Sequence, residues 1–223
     1  MDVRPILLSF QTAIIAILFT FILGTGVAYI VFRLKNRKLK ILLNSLFTLP
    51  LVLPPTVFGF FLLTIFGVQQ PVGQFLLDFF AIQVVFSWPA TVIAAVAVSF
   101  PLMYRSALTA FEQMDSELLA VAQTLGFSES RYFRKIALPL SMNGLLAGGV
   151  LAFARGLGEF GATTMLAGNI AGKTRTLPLA IYSAVASGDW RLAIQYVVIM
   201  LLLCLIILFF TEFFSQRAWR RSE

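Results

Sequence analysis

The sequence predicts an all-α integral membrane protein with five transmembrane helices, its N-terminus outside and its C-terminus in the cytoplasm. Three observations predict it. Of the 223 residues, 59% are apolar, 12% are charged and 23 are Phe, whereas soluble domains carry about a quarter charged residues. Several runs of roughly 20 apolar residues recur, enough to cross a hydrocarbon layer of about 30 Å. The Lys and Arg residues gather in the loops of one side, which the positive-inside rule assigns to the cytoplasm. The net charge of +7 therefore reports orientation, where in a soluble chain it would point to nucleic acid; no nucleic-acid partner is expected.

The first span is predicted over 7–32 and stops at the basic run Arg33-Leu34-Lys35-Asn36-Arg37-Lys38. The second covers 41–66 and contains Pro50, Pro54 and Pro55. Proline breaks helical hydrogen bonding, and a membrane tolerates the freed groups only where protein or a water-lined cavity satisfies them. The third runs over 89–108 with Trp88 at an interface, the fourth from 138 to 161 or as far as 166, and the last over 192–214. Arg33, Lys35, Arg37, Lys38, Lys40, Arg105, Arg131, Arg134, Lys135, Arg217, Arg220 and Arg221 then share one side, against Arg4, Lys173, Arg175 and Arg191 on the other.

Two outside segments are organised. Val72, Phe75, Leu76, Phe79 and Phe80 repeat at helical spacing opposite Gln74 and Asp78, as a helix lying in the outer interface would. The 176–186 stretch has a proline suited to a first helical turn, stops at Ser187-Gly188-Asp189, and is too short for a sixth span. Interface packing or contact with an outside partner would suit either. With no long linker, 7–214 reads as one transmembrane domain.

The longest polar interruption lies within 112–139. A short helix is predicted from Asp115 to Leu125, capped by Asp115 or Ser116, with Leu118, Leu119, Ala122 and Leu125 on one face. Gly126 ends it, because a left-handed C-cap costs glycine nothing. Ser128 starts a second helix carrying Arg131, Arg134 and Lys135, and Pro139 marks the next span. Such a helix between two spans suits docking into something outside the membrane; an ordinary amphipathic surface loop has the same spacing.

The interruption resembles the cytoplasmic loop of the membrane subunits of ABC importers, whose pattern is Glu-Ala-Ala, three residues, Gly, nine residues, Ile, one residue, Leu-Pro. Ala120-Val121-Ala122, Gly126, Ile136 and Leu138-Pro139 keep that spacing, with Ala120 and Val121 departing from the family's Glu and Ala, and with Glu117 one turn earlier. The resemblance implies that Glu117, Ala120, Val121, Ala122, Leu125, Gly126 and Phe127 couple the chain to a separate ATP-binding subunit. The stretches TLPLVLPPTVFG (48–59), SFPLMYR (99–105), LAFARGLGEFGAT (151–163) and GNIAGKTRTLP (168–178) are similar to the core helices of oxyanion importers. They resemble the molybdate/sulfate permease branch, and the short length favours the molybdate member. Sulfate, thiosulfate and tungstate stay open as cargo. The resemblance implies a homodimer in a bacterial cytoplasmic membrane, two ATP-binding subunits below, a periplasmic or extracellular oxyanion-binding protein above, and lipid around it.

Arg155 and Glu159 are ionisable residues within a span at i, i+4 spacing, so they share a face and can pair. Charge at membrane depth usually faces a bundle interior or a watery path. Gly156, Gly158 and Gly161 leave room there for close helix approach. A translocation gate is one reading, formed by Pro54, Pro55, Arg155, Gly158, Glu159, Phe160, Gly161 and Thr163; a neutral brace between helices is the other. Arg105 fits a snorkelling role at the inner end of the third span.

Composition also bears on other function classes. No His and a single Cys, Cys204, inside an apolar run leave no disulfide, metal site or cofactor to expect. The N-terminus does not read as a cleavable signal. A membrane-embedded enzyme would need a cluster of His, Asp, Glu or Cys at depth. A passive anion channel would explain the polar fourth span but neither the docking helix nor the lack of a selectivity filter. The sequence has no Gly-x4-Gly-Lys-Ser/Thr loop, so ATP hydrolysis is expected in a partner.

Overall fold

Two pairs of hydroxyls fix how the central helices lie. Helix α1 (Arg4–Phe32) and helix α5 (Trp88–Glu112) meet through Thr12 Oγ1 and Thr91 Oγ1 at 2.9 Å, and through Thr20 Oγ1 and Ser99 Oγ at 3.0 Å. Both pairs are 79 residues apart, so the helices run parallel. A Cβ on Gly24 of α1 would lie 2.7 Å from Met103 Cγ, which shows how closely α5 approaches there. Helix α8 (Leu138–Leu157) crosses α5 in the opposite sense, with Gly144 against Ala110 and Gly148 against Ser106. Small residues at such contacts let helix backbones approach, which matters where lipid supplies no hydrophobic drive between helices.

The computed structural model describes residues 1–115 and 117–219, and at 119 and 210–219 the backbone alone. Ser116, Arg220 and Arg221 lie outside the described residues, as do the side chains of Leu119 and Arg217. Among the described residues every regular element is a helix. Four helical runs are long and apolar enough to cross a membrane, and a fifth crossing is counted if one bent pair is taken together.

That bent pair corrects the continuous second span. Helix α2 (Arg37–Val52) and helix α3 (Pro55–Phe66) meet at a bend of 114°. Leu53 precedes Pro54, and Pro54 precedes Pro55; a residue before proline is pushed out of the helical region. Both adopt extended ψ, 139° and 133°. Pro50 stays inside α2, so the consecutive prolines make the break. Asn36 starts α2 by accepting the N–H of Lys38 and Leu39. No residue of α2 is fully buried; it is held to α5 by an Asn44–Tyr104 hydrogen bond and by Phe47 against Phe100 and Tyr104.

The fourth span is also interrupted. α8 ends at Leu157, and a separate helix α9 (Gly161–Ala167) follows, so the span does not continue unbroken to 161 or 166. Its start differs as well. Helix α6 (Glu117–Thr124) is followed by α7 (Glu129–Tyr132), which passes through a π-helical turn (Phe133–Ala137) directly into α8. The turn lets the Leu138 N–H reach Phe133 C=O just before Pro139, whose ring would crowd the carbonyl four residues back in a regular helix. The basic helix and the fourth span are therefore one helical run, Glu129–Leu157.

The two segments expected outside the membrane form as helices. Helix α4 (Pro71–Phe80) folds back on α3, since a Cβ on Gly73 would lie 2.0 Å from Gly67 O, and Phe75, Phe79 and Phe80 are exposed. Helix α10 (Leu177–Ala186) docks on α1 and on helix α11 (Trp190–Trp219): the Leu177 N–H donates to Ser9 Oγ at 2.7 Å, and Leu177 and Ala180 are buried with Tyr196. The Tyr196 hydroxyl donates to the Asp2 carbonyl at 2.9 Å. Packing accounts for one face of α10.

Candidate functional site

The two interrupted spans meet at their interruptions. A Cβ on Gly161 would sit 2.9 Å from Pro55 Cβ and 3.1 Å from Thr56 N. One turn further, a Cβ on Gly59 would sit 2.7 Å from Ala162 Cα and 2.9 Å from Met165 Cβ. Helices α3 and α9 thus run side by side in near backbone contact, and only glycine fits at the closest points. Broken helices within a membrane are tolerated where the freed backbone is satisfied by protein or lines a cavity, and transporters commonly place their substrate path at such breaks.

Glu159 satisfies this one. Its Oε1 accepts the Ala162 N–H at 2.7 Å, closing the first turn of α9, and its Oε2 accepts from Arg155 Nη1 at 2.6 Å. The Glu159 side chain is 2% exposed and that of Arg155 32%. The paired charges expected from the i, i+4 spacing are therefore present, and the carboxylate also ties α8 to α9 across the gap. Phe160 adds a second tie: its carbonyl accepts both the N–H and the hydroxyl of Thr164, at 2.8 and 2.7 Å. Its ring packs against Tyr182 of α10 with centroids 5.3 Å apart.

The structure brings Pro55, Arg155, Glu159 and Gly161 together, with Pro54 beside them. Pro54, Pro55 and Gly158 are exposed, Phe160 is half-buried, and Gly161 and Thr163 are buried within the chain. Along α8 an exposed stripe of Asn143, Ala147, Leu151 and Ala154 leads up to Gly158. Mostly small side chains line it, and Arg155 flanks its upper end.

A second locus lies at the basic end of the molecule. The Asp115 carboxylate accepts the Glu117 N–H at 2.9 Å at the start of α6. At the other end Gly126 has φ +73°; its N–H donates to Gln123 C=O at 3.0 Å, and the Phe127 N–H donates to Ala122 C=O at 3.0 Å. This is the paired-bond glycine C-cap that the sequence predicts. Ser128 Oγ then accepts the Arg131 N–H at 3.4 Å to start α7. Ala122 is buried and Leu118 packs beside it, but Leu125, expected on the same face, is 70% exposed. The chain turns into the left-handed residue immediately after it, which carries Leu125 off the helix's buried side. Glu117, Ala120, Val121, Leu125 and Gly126 consequently form an exposed, partly apolar surface, with Phe127 half-buried under the Arg131 guanidinium.

Sequence reasoning missed two ion pairs here. Glu112, at the end of α5, pairs with Lys40 at 2.7 Å, and Glu129, at the start of α7, pairs with Arg33. They bracket the loop and tie both of its roots to the junction between α1 and α2. No local pattern signals them, because each partner is a commonplace loop charge. The hydroxyl pairs of α1 and α5 did leave a trace: Thr12 and Thr20 repeat the spacing of Thr91 and Ser99.

The chain as a whole is similar to known proteins. The family model for binding-protein-dependent transport system inner membrane components matches residues 17–220. The permease protein YvgM of Bacillus subtilis is 45% identical over 93% of this chain and 91% of its own. The molybdenum transport system permease protein ModB of Haemophilus influenzae is 40% identical over 99% and 96%. In fold, the chain is similar to one in the crystal structure of a bacterial alginate ABC transporter in complex with an alginate pentasaccharide-bound periplasmic protein, with a TM-score of 0.77 at 15% identity over 97% of this chain and 78% of that one. A multi-pass helical protein with one sharply bent span, matched over nearly its whole length, this chain belongs to the family of binding-protein-dependent transport system inner membrane components.

Proposed function

We propose that this chain is the permease subunit of an ATP-driven importer and forms the path by which molybdate crosses the cytoplasmic membrane. The observation that carries this reading is the 40% identity, over 99% of the chain, to a molybdenum transport permease. Two copies pair with the exposed stripe of α8 and the α3–α9 crossing facing the path, because a charged pair at membrane depth is poorly suited to lipid. The basic loops lie in the cytoplasm, where the surface of Glu117, Ala120, Val121, Leu125 and Gly126 inserts into a cleft of a separate ATP-binding subunit, one for each copy. An oxyanion-binding protein on the outer side delivers the cargo and chooses it. The permease holds no tight anion site of its own, since a conducting path must bind weakly enough to release.

Closure of the ATP-binding subunits brings the two α6 helices together. The bracketing pairs Lys40–Glu112 and Arg33–Glu129 carry the displacement into α1, α2 and α5, and the helical run from Glu129 carries it into α8. Vesicles containing the permease, its ATPase and its binding protein should take up molybdate only with ATP inside, and tungstate should compete better than sulfate. Uptake without the ATPase would overturn the importer reading in favour of a channel. Sulfate uptake with no molybdate uptake would overturn the cargo.

The docking surface has its own test. Gly126→Val places a β-branched residue at φ +73°, a conformation it strongly disfavours. Nothing lies within 4 Å of the added Cβ, so the effect is confined to the turn. Co-purification with the ATPase is expected to fall several-fold while membrane insertion stays normal. Unchanged co-purification together with unchanged transport would sink the docking role.

A further inference from the structure

We propose that Glu159 is a fixed counter-charge that keeps Arg155 from trapping the anion in the path, so that removing its charge turns the path into a binding site. This rests on the oxyanion-permease reading and adds to it the residue that sets how weakly the path holds its cargo.

The inference starts from an asymmetry within the pair. The Arg155 side chain is about a third exposed, beside the open stripe of Leu151, Ala154 and Gly158, while the Glu159 side chain is 2% exposed. A guanidinium carries five N–H donors, and among the described residues Glu159 is the one side-chain acceptor bonded to it. The cation therefore has donors to spare and a side that this chain does not cover. A tetrahedral oxyanion is what such a group recognises best, since charge-assisted bonds to arginine are among the strongest available. Left alone, Arg155 would hold a passing dianion and slow its exit.

Glu159 prevents this because it cannot move aside. Both of its oxygens are committed, one to Arg155 at 2.6 Å and one to the Ala162 N–H of α9 at 2.7 Å. An anion approaching Arg155 therefore always meets a carboxylate as well, and the site offers it attraction and repulsion together. A carboxylate free to swing away would yield its cation to the cargo; one pinned to a helix start does not. The second bond of Glu159 thus serves the path as well as the fold.

The variants separate charge from shape. Glu159→Gln keeps the side-chain length and an oxygen for the Ala162 N–H but loses the charge. In calorimetric titration of sodium molybdate into the permease–ATPase complex without its binding protein, wild type should show no submicromolar binding. Glu159→Gln should bind at least tenfold more tightly, and its maximal uptake rate in vesicles should drop. Arg155→Gln with Glu159→Gln should bind weakly again. An assembled Glu159→Gln complex with unchanged affinity, or tight binding that survives in the double variant, would overturn the proposal. Should Glu159→Gln fail to assemble, Leu151→Glu tests the same balance from the exposed face one turn away: it adds a carboxylate toward Arg155 and should raise the KM for molybdate uptake several-fold, and an unchanged KM would overturn the proposal. Failure of wild-type vesicles to take up molybdate at all would instead count against the cargo reading, and is seen in a separate measurement.

Discussion

Arg155→Met is expected to destabilise the protein by about 3–5 kcal/mol, because it strands a buried carboxylate without its cation. Glu159 is 2% exposed, and among the described residues the Arg155 bond is its one charged contact, so no other described cation takes its place. The partial exposure of Arg155 places the expected cost at the lower end of that range. Pairing Arg155→Met with Glu159→Gln should recover most of the loss, since the double variant leaves no unpaired charge. Thermal unfolding of the four detergent-purified proteins gives the coupling directly. Losses that simply add would mean that the two side chains do not support each other, whatever their separation.

Gly59→Ala should be damaging out of proportion to the single methyl group it adds. Its Cβ would sit 2.7 Å from Ala162 Cα and 3.1 Å from Ala162 O, and backbone atoms cannot rotate out of the way as a side chain can. Helices α3 and α9 would have to separate, at a cost of about 1–3 kcal/mol by analogy with overpacked cores. Because the crossing joins the two interrupted spans, transport should fall further than stability does. Gly26→Ala is the control: nothing lies within 4 Å of its added Cβ, and alanine is favoured over glycine in a helix interior by roughly 0.5–1 kcal/mol. Equal melting temperatures and transport for the two variants would show that the crossing is looser than its distances indicate.

Much of this molecule was legible in the sequence because membrane spans and helix ends are local signals. Apolar runs marked the spans, and Gly126 marked a C-cap that forms with φ +73°. The four-residue spacing of Arg155 and Glu159 marked a pair that forms at 2.6 Å. The prolines at 54 and 55 marked disturbed helix geometry, and the chain bends there by 114°. What periodicity could not supply was which disturbed segments touch. Pro55 and Gly161 lie more than a hundred residues apart in sequence, and each looks like an isolated irregularity until the fold sets them against each other. The same holds for Lys40 with Glu112 and Arg33 with Glu129, whose residue types are common in any polar loop. Leu125 was misread because helical spacing was extended to the residue where the helix had already begun to turn. The join between α7 and α8 was missed because Pro139 looks like a boundary, and a single wider turn absorbs it.

That join makes the run from Glu129 to Leu157 a lever. Its 29 residues correspond to a rod about 43 Å long at the usual helical rise, with the Gly126 turn near one end and Arg155 near the other. A tilt of about 5° at the base would sweep the far end through about 4 Å, enough to open or shut a narrow passage. No helix needs to melt and no loop needs to refold for that stroke; the stiffness of one continuous helical run, carried through the wider turn at Phe133–Ala137, would deliver it.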